Sequence, residues 1–93
     1  MVLGHERCGA VKAALGSDTA PGNVNSLVRD IQPAIKAAKG KEGDPLANAV
    51  NENAKLTAEI IREKANLGEL AKEVQIVTAV YDLDSGKVEW LKN

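Results

Sequence analysis

The run at residues 74–83 constrains this chain most. Val74, Ile76, Thr78 and Val80 alternate with Val77, Ala79, Tyr81 and Leu83, so both faces of a strand here would be apolar or β-branched. Such a strand has to be covered from both sides and belongs inside a sheet. Turn residues follow in Asp82, Asp84, Ser85 and Gly86, and residues 87–91 return as a second strand. The simplest geometry is an antiparallel hairpin whose second strand lies at the sheet edge. At the other end, the apolar run Met1, Val2, Leu3 stops at Gly4, and the small-residue stretch 9–15 reads as a helix that ends at Gly16. That is strand, tight turn, helix. The pattern as a whole predicts an α/β fold: part of a mostly parallel sheet flanked by helices, ending in an antiparallel β-hairpin.

Between these ends, Val24, Leu27, Val28, Ile31, Ile35 and Ala38 recur at helical spacing before Gly40. Pro33 interrupts the series, and an interior proline costs a helix about 3 kcal/mol, so a kink or break is expected near residues 31–32. Asp44 then stands as a cap before Pro45 at a first helical position. Leu46, Ala49, Val50, Leu56, Ile60 and Ile61 fall on one arc of the long helix that follows. Asn51, Glu52, Lys55, Glu59, Arg62 and Glu63 form its other side, read as a solvated face. A short helical turn is expected around Leu70, after Gly68. Residues 16–23 and 40–44 are the loose stretches, connections within one domain over residues 1–93.

Ninety-three residues suffice for one compact core that hides roughly two-thirds of the unfolded surface. The aromatics are Tyr81 and Trp90 alone, so aliphatic side chains and alanine must do the packing. A strand beginning at the first residue gains little burial for the order it requires. The chain is therefore expected to be a truncated form of a larger sheet.

The formal charge is −1, with twelve basic residues dispersed among thirteen acidic ones. Nucleic acid is not an expected partner, since phosphate neutralisation needs a basic patch. No window approaches the roughly twenty apolar residues of a membrane span, and residues 1–10 are too polar for a secretory signal. One cysteine, Cys8, permits no internal disulfide and no dithiol redox chemistry, which makes the cytoplasm the expected compartment.

His5 and Cys8 lie three positions apart at the predicted strand end, close enough to reach one metal ion across the turn. The spacing alone is a weak signal, since it arises often by chance and fits a partly buried histidine and an inert core thiol better than a metal site. The whole string from Met1 through Gly4, His5, Glu6, Arg7, Cys8, Gly9, Ala10 and Val11, however, resembles the zinc-binding segment of β-class carbonic anhydrases. Residues 77–91 are similar to the closing strand, turn and strand of that family, and residues 47–62 to a helix between those points. Residues 16–43 match less specifically.

The resemblance implies a carbonate dehydratase, a lyase that hydrates carbon dioxide reversibly to bicarbonate, with His5 and Cys8 as zinc ligands. Two cysteines and one histidine hold the metal in that family and leave a fourth position for water. The family also carries, well before its His-x-x-Cys segment, a Cys-x-Asp-x-Arg motif that supplies the other thiolate. This sequence has no such motif, and Cys8 and His5 are its sole cysteine and histidine. Glu6 is expected to be a solvated carboxylate and Arg7 a surface or salt-bridge residue rather than replacements. Two chains about a two-fold axis could pool two His5 and two Cys8 into a closed structural site. The expectation is thus a family member inactive by itself and prone to form homo-oligomers. The alternative is a non-catalytic interaction module that self-associates through exposed sheet edges.

Overall fold

The computed structural model describes residues 1–64 and 73–92; the turn expected around Leu70 lies outside them. The elements run β1 (Val2–His5), α1 (Gly9–Gly16), α2 (Val24–Ala38), α3 (Pro45–Lys64), β2 (Thr78–Tyr81) and β3 (Val88–Leu91). Strand order is β1-β2-β3, with β2 in the middle. β1 pairs with β2 in parallel, Val2 opposite Thr78 and His5 opposite Tyr81. β2 pairs with β3 antiparallel, Thr78 opposite Leu91 and Tyr81 opposite Val88. The hairpin forms as expected, but the described sheet is mixed rather than mostly parallel.

The 74–83 run contributes a strand only over Thr78–Tyr81. A strand needs neighbours to bond to. β1 begins at Val2, whose N–H reaches Val77 O at 2.8 Å, and β3 ends at Leu91 opposite Thr78. No described strand lies alongside residues 74–76 to extend the ladder. At the other end Asp82 opens the turn, donating its N–H to Lys87 O at 2.8 Å while its own carbonyl accepts from Gly86. Gly86 has a φ of 75°, a backbone state that residues with a Cβ adopt at a cost.

Among the described residues, the helix that packs on the sheet is α3. It meets both β1 and β2, while α1 and α2 pack against α3 and each other. Side chains alternate across a strand, so Gly4 and Val80 face α3, and Leu3, Ala79 and Trp90, mutually paired in register, face away. Trp90 is accordingly 64 % exposed and Leu3 half-exposed, although Ala79 between them is fully buried.

Proline does not break α2, which is helical through Pro33. The carbonyl left without a helical partner by a proline at 33 is that of Arg29, an exposed residue whose carbonyl water can serve. The neighbouring Gln32 amide donates to Ala14 O at 3.1 Å, Ser17 O at 3.2 Å and Val28 O at 3.3 Å, tying α2 to the end of α1. Val28, Ile31, Ala34, Ile35 and Ala38 are buried as the periodicity requires, but Val24 and Leu27 remain exposed.

α3 starts where its cap predicts. Asp44 Oδ2 accepts the Ala47 N–H at 3.3 Å, and Asp44 O accepts the Asn48 N–H at 3.0 Å. The buried stripe of α3 is Ala49, Val50, Ala54 and Ala58, whereas Ile60 and Ile61 are exposed. Burial here follows contact with neighbouring elements: α3 packs on α2, β1 and β2, and Val50 and Ala54 meet β1 at Gly4. The face read as solvated is partly covered: Asn51, Glu52 and Lys55 are half-buried, and Glu52 pairs with Lys41. Arg62 donates to Ile76 O at 3.0 Å, a bond from helix end to the approach of β2.

Gly4 marks the closest approach of strand to helix. A Cβ placed there would stand 3.2 Å from Val50 Cγ1 and 3.7 Å from Ala54 Cβ. The Gly4→Ala variant is expected to push α3 away from β1 and lose about 1–3 kcal/mol of stability, measured by denaturant unfolding. The Gly9→Ala change, with nothing within 4 Å of the added carbon, is the control and should be neutral or stabilising.

Candidate metal centre

The carboxyl end of β1 runs directly into the turn that begins α1. The Glu6 N–H still bonds Tyr81 O at 3.1 Å, the last rung between this segment and β2. The chain then reverses at Arg7, whose φ of 52° is left-handed, and Cys8 returns to extended backbone as the N-cap of α1. Cys8 O accepts the Lys12 N–H at 2.9 Å, the first helical bond. One strand end and one helix start therefore place His5 and Cys8 on either side of a two-residue turn.

Both side chains line one pocket of about 240 Å³, together with Val2, Leu3, Gly4, Val11 and α3 residues that include Val50 and Asn53. No residue of β2 or β3 borders it, so the pocket lies on the side of β1 away from β2, where among the described residues no strand pairs. His5 Nδ1 lies 2.9 Å from Glu6 O. A carbonyl accepts only, so Nδ1 carries the hydrogen and the lone pair is left on Nε2, the tautomer suited to a metal. Cys8 is half-buried at the end of α1 where unpaired backbone N–H groups favour negative charge.

Glu6 and Arg7 belong to a different place. They line a neighbouring cavity of about 340 Å³ with Asp44, Ala47, Val50, Asn51, Val80 and Glu89, on the hairpin side of the turn. Glu6, Asp82 and Asp84 each bring a carboxylate oxygen within 4.8 Å of the others. Arg7 sits among them, donating from Nη1 to Asp84 Oδ2 at 3.1 Å and from Nη2 to Asp84 Oδ1 at 3.2 Å. Arg7 is thus a salt-bridge residue, as its sequence position suggested. Asp84 is the partner that sequence reasoning missed: it was visible only as turn chemistry, 77 positions away, and nothing in spacing links the two.

The charges leave a signature. Partial desolvation, with the negative charges of Asp82 and Asp84 beside it, raises the Glu6 pKa. Backbone bonds from Asp84 and Ser85 to its carboxylate lower that of Asp82. The two act in opposite directions on stability. A raised carboxyl pKa means that the folded state favours protonated Glu6, so its repulsion is relieved as pH falls through the folded pKa. The depressed Asp82 contributes stability above its unfolded pKa, which is lost as pH falls through the folded value.

The fold and this turn define a class, α/β proteins that carry a histidine and a cysteine at the end of a parallel strand. The chain belongs to the β-class carbonic anhydrases: the family model described as Carbonic anhydrase matches residues 1–88. Compared with curated proteins, the sequence has no significant match. Among the described residues no helix is long and apolar enough to cross a membrane.

The zinc used by that family asks for a tetrahedron of nitrogen and sulfur donors. The turn offers two donors of the right chemical type, the His5 imidazole and the Cys8 thiol, both lining one pocket. Neither Glu6 nor Arg7 lines that pocket. For Glu6 the expected outcome is simple. The Glu6→Gln variant should be more stable than wild type at neutral pH, and the difference should shrink on mild acidification, read by thermal unfolding across a pH series.

Proposed function

We propose that this chain carries the histidine and one cysteine of a β-carbonic anhydrase zinc site, and that its ninety-three residues do not catalyse hydration by themselves. One observation carries the reading: His5 and Cys8 open onto the same pocket, with the His5 tautomer set by the Glu6 carbonyl. When bound in a full set of three protein donors, zinc supplies hydroxide near neutral pH for attack on carbon dioxide, with bicarbonate as product. Here His5 and Cys8 would hold the metal, beside a pocket lined by Val2, Leu3, Val11 and Val50 and by the polar Asn53 and Thr57. Two donors leave the ion short of the third and give up most of the affinity of a complete cage.

Zinc content and stopped-flow hydration of carbon dioxide test this together. The expected outcome is weak zinc uptake that disappears in both His5→Ala and Cys8→Ala, with hydration no faster than buffer. Hydration well above background by the purified chain would overturn the inactive reading, and zinc uptake indifferent to both substitutions would overturn the ligand assignment.

A second reading, self-association through a sheet edge, is favoured by the order β1-β2-β3, which among the described residues leaves one side of β1 unpaired. Because Val2 and Glu6 turn their N–H groups to β2, the alternating pattern turns those of Leu3 and His5 outward. Symmetric pairing of two β1 strands about a two-fold axis is antiparallel, since the bonds of a parallel ladder are offset between its strands. That places the two turns at opposite ends, separated by about 10 Å or more at 3.4 Å per residue. Pairing through β1 and pooling of two His5 and two Cys8 are therefore competing arrangements. Light scattering on size-exclusion fractions distinguishes them: a dimer independent of zinc fits edge pairing, a dimer that dissociates with chelator fits the pooled site, and a strict monomer excludes both.

A further inference from the structure

Arg7 holds a left-handed backbone conformation, φ 52°, between the two candidate metal donors. A residue with a Cβ adopts this state at a cost, and arginine has none of the local side-chain bonding that lets asparagine or aspartate adopt it readily. Something outside the turn has to favour the arrangement. Two contacts reach it: the Glu6 N–H bond to Tyr81 O at 3.1 Å and the two-bond fork from Arg7 to Asp84. Asp84 is itself firmly placed. Its N–H donates to Asp82 Oδ1 at 2.9 Å, Ser85 N–H donates to the same oxygen at 3.3 Å, and the Asp82 N–H and carbonyl close the hairpin on Lys87 and Gly86. The tip of the β2–β3 hairpin is therefore a braced platform, and Arg7 is the arm by which it reaches the turn.

We propose that Asp84 is a positioning residue: through the Arg7 fork it fixes the turn that sets His5 relative to Cys8. A guanidinium and a carboxylate joined by two parallel bonds fix direction as well as distance, which a single ion pair does not. The pair is solvent-exposed, with side-chain exposures of 57 % and 75 %, so its effect is modest in size. Its importance lies in placement, because a small rotation at Arg7 swings Cys8 and the start of α1 relative to β1. The consequence for metal binding rests on the reading of His5 and Cys8 as donors; the mechanical link between hairpin and turn does not.

A double-mutant cycle of Arg7→Gln, Asp84→Asn and the pair tests both parts. Glutamine at position 7 keeps a Cβ and so retains the backbone penalty. Two readouts are needed: amide exchange of Glu6 in metal-free protein, with the Gly86 amide as hairpin reference, and cobalt(II) titration followed by its thiolate absorption. Each single variant is expected to speed Glu6 exchange and weaken cobalt binding by up to about fivefold, the scale of a well-formed exposed pair. The double variant should be no worse than either single, with Gly86 exchange unchanged. Unchanged Glu6 exchange in both single variants overturns the proposal. Faster exchange with unaltered cobalt affinity overturns the positioning role while leaving His5 and Cys8 as donors. If wild-type protein takes up no cobalt but exchange still shows the coupling, the donor reading fails and the clamp stands.

Discussion

The near contact between α3 and β1 is the constraint on which the other placements depend. Gly4 leaves only a hydrogen toward Val50, and the small Ala54 one turn on lets α3 lie close along β1. With the helix seated there, β1 is held beside β2, α1 packs behind it, and the turn between β1 and α1 is drawn tight. A chain with so few aromatic residues cannot fill a wide gap between layers, so it closes the gap with small residues instead. Close packing of this kind makes the position of His5 a consequence of helix packing as much as of strand pairing.

Much of this could be read from the residues. The β-branched run 74–83 identified the central strand, Asp44 and Pro45 located the start of α3, and residues 82–86 gave the hairpin. Two of the three departures share a cause: each depends on a neighbour that periodicity does not encode. The strand was drawn too long because its length is set by how far β1 and β3 extend. Ile60 and Ile61 fall on the apolar arc by helical spacing, yet remain exposed near the end of α3. Pro33 was expected to interrupt α2, but the unmatched carbonyl falls on the exposed side, where the loss is slight.

The candidate site divides along the same line. His5 and Cys8 were legible because their spacing is local and the string around them is specific. Their shared pocket was not, since Val50 and Asn53 reach it from α3. Arg7 was read as a salt-bridge residue without a partner, because Asp84 meets it only after the whole sheet has formed. Contacts that join the first ten residues to the last ten carry no sequence periodicity and emerge only with the topology.

On the proposed reading, the geometry also says from which direction the site would be completed. The side of the turn nearest the hairpin carries Glu6, Arg7, Asp82 and Asp84, with Arg7 paired to both Glu6 and Asp84. The pocket shared by His5 and Cys8 lies on the other side, against the unpaired edge of β1. On that reading an extended segment along this edge would suit a third donor, because the outward backbone groups of Leu3 and His5 can bond to a strand. The same groups are those an edge-paired dimer would occupy. Completion of the metal site and self-association through β1 are thus mutually exclusive uses of one edge, and whichever strand occupies it governs the coordination that His5 and Cys8 can achieve.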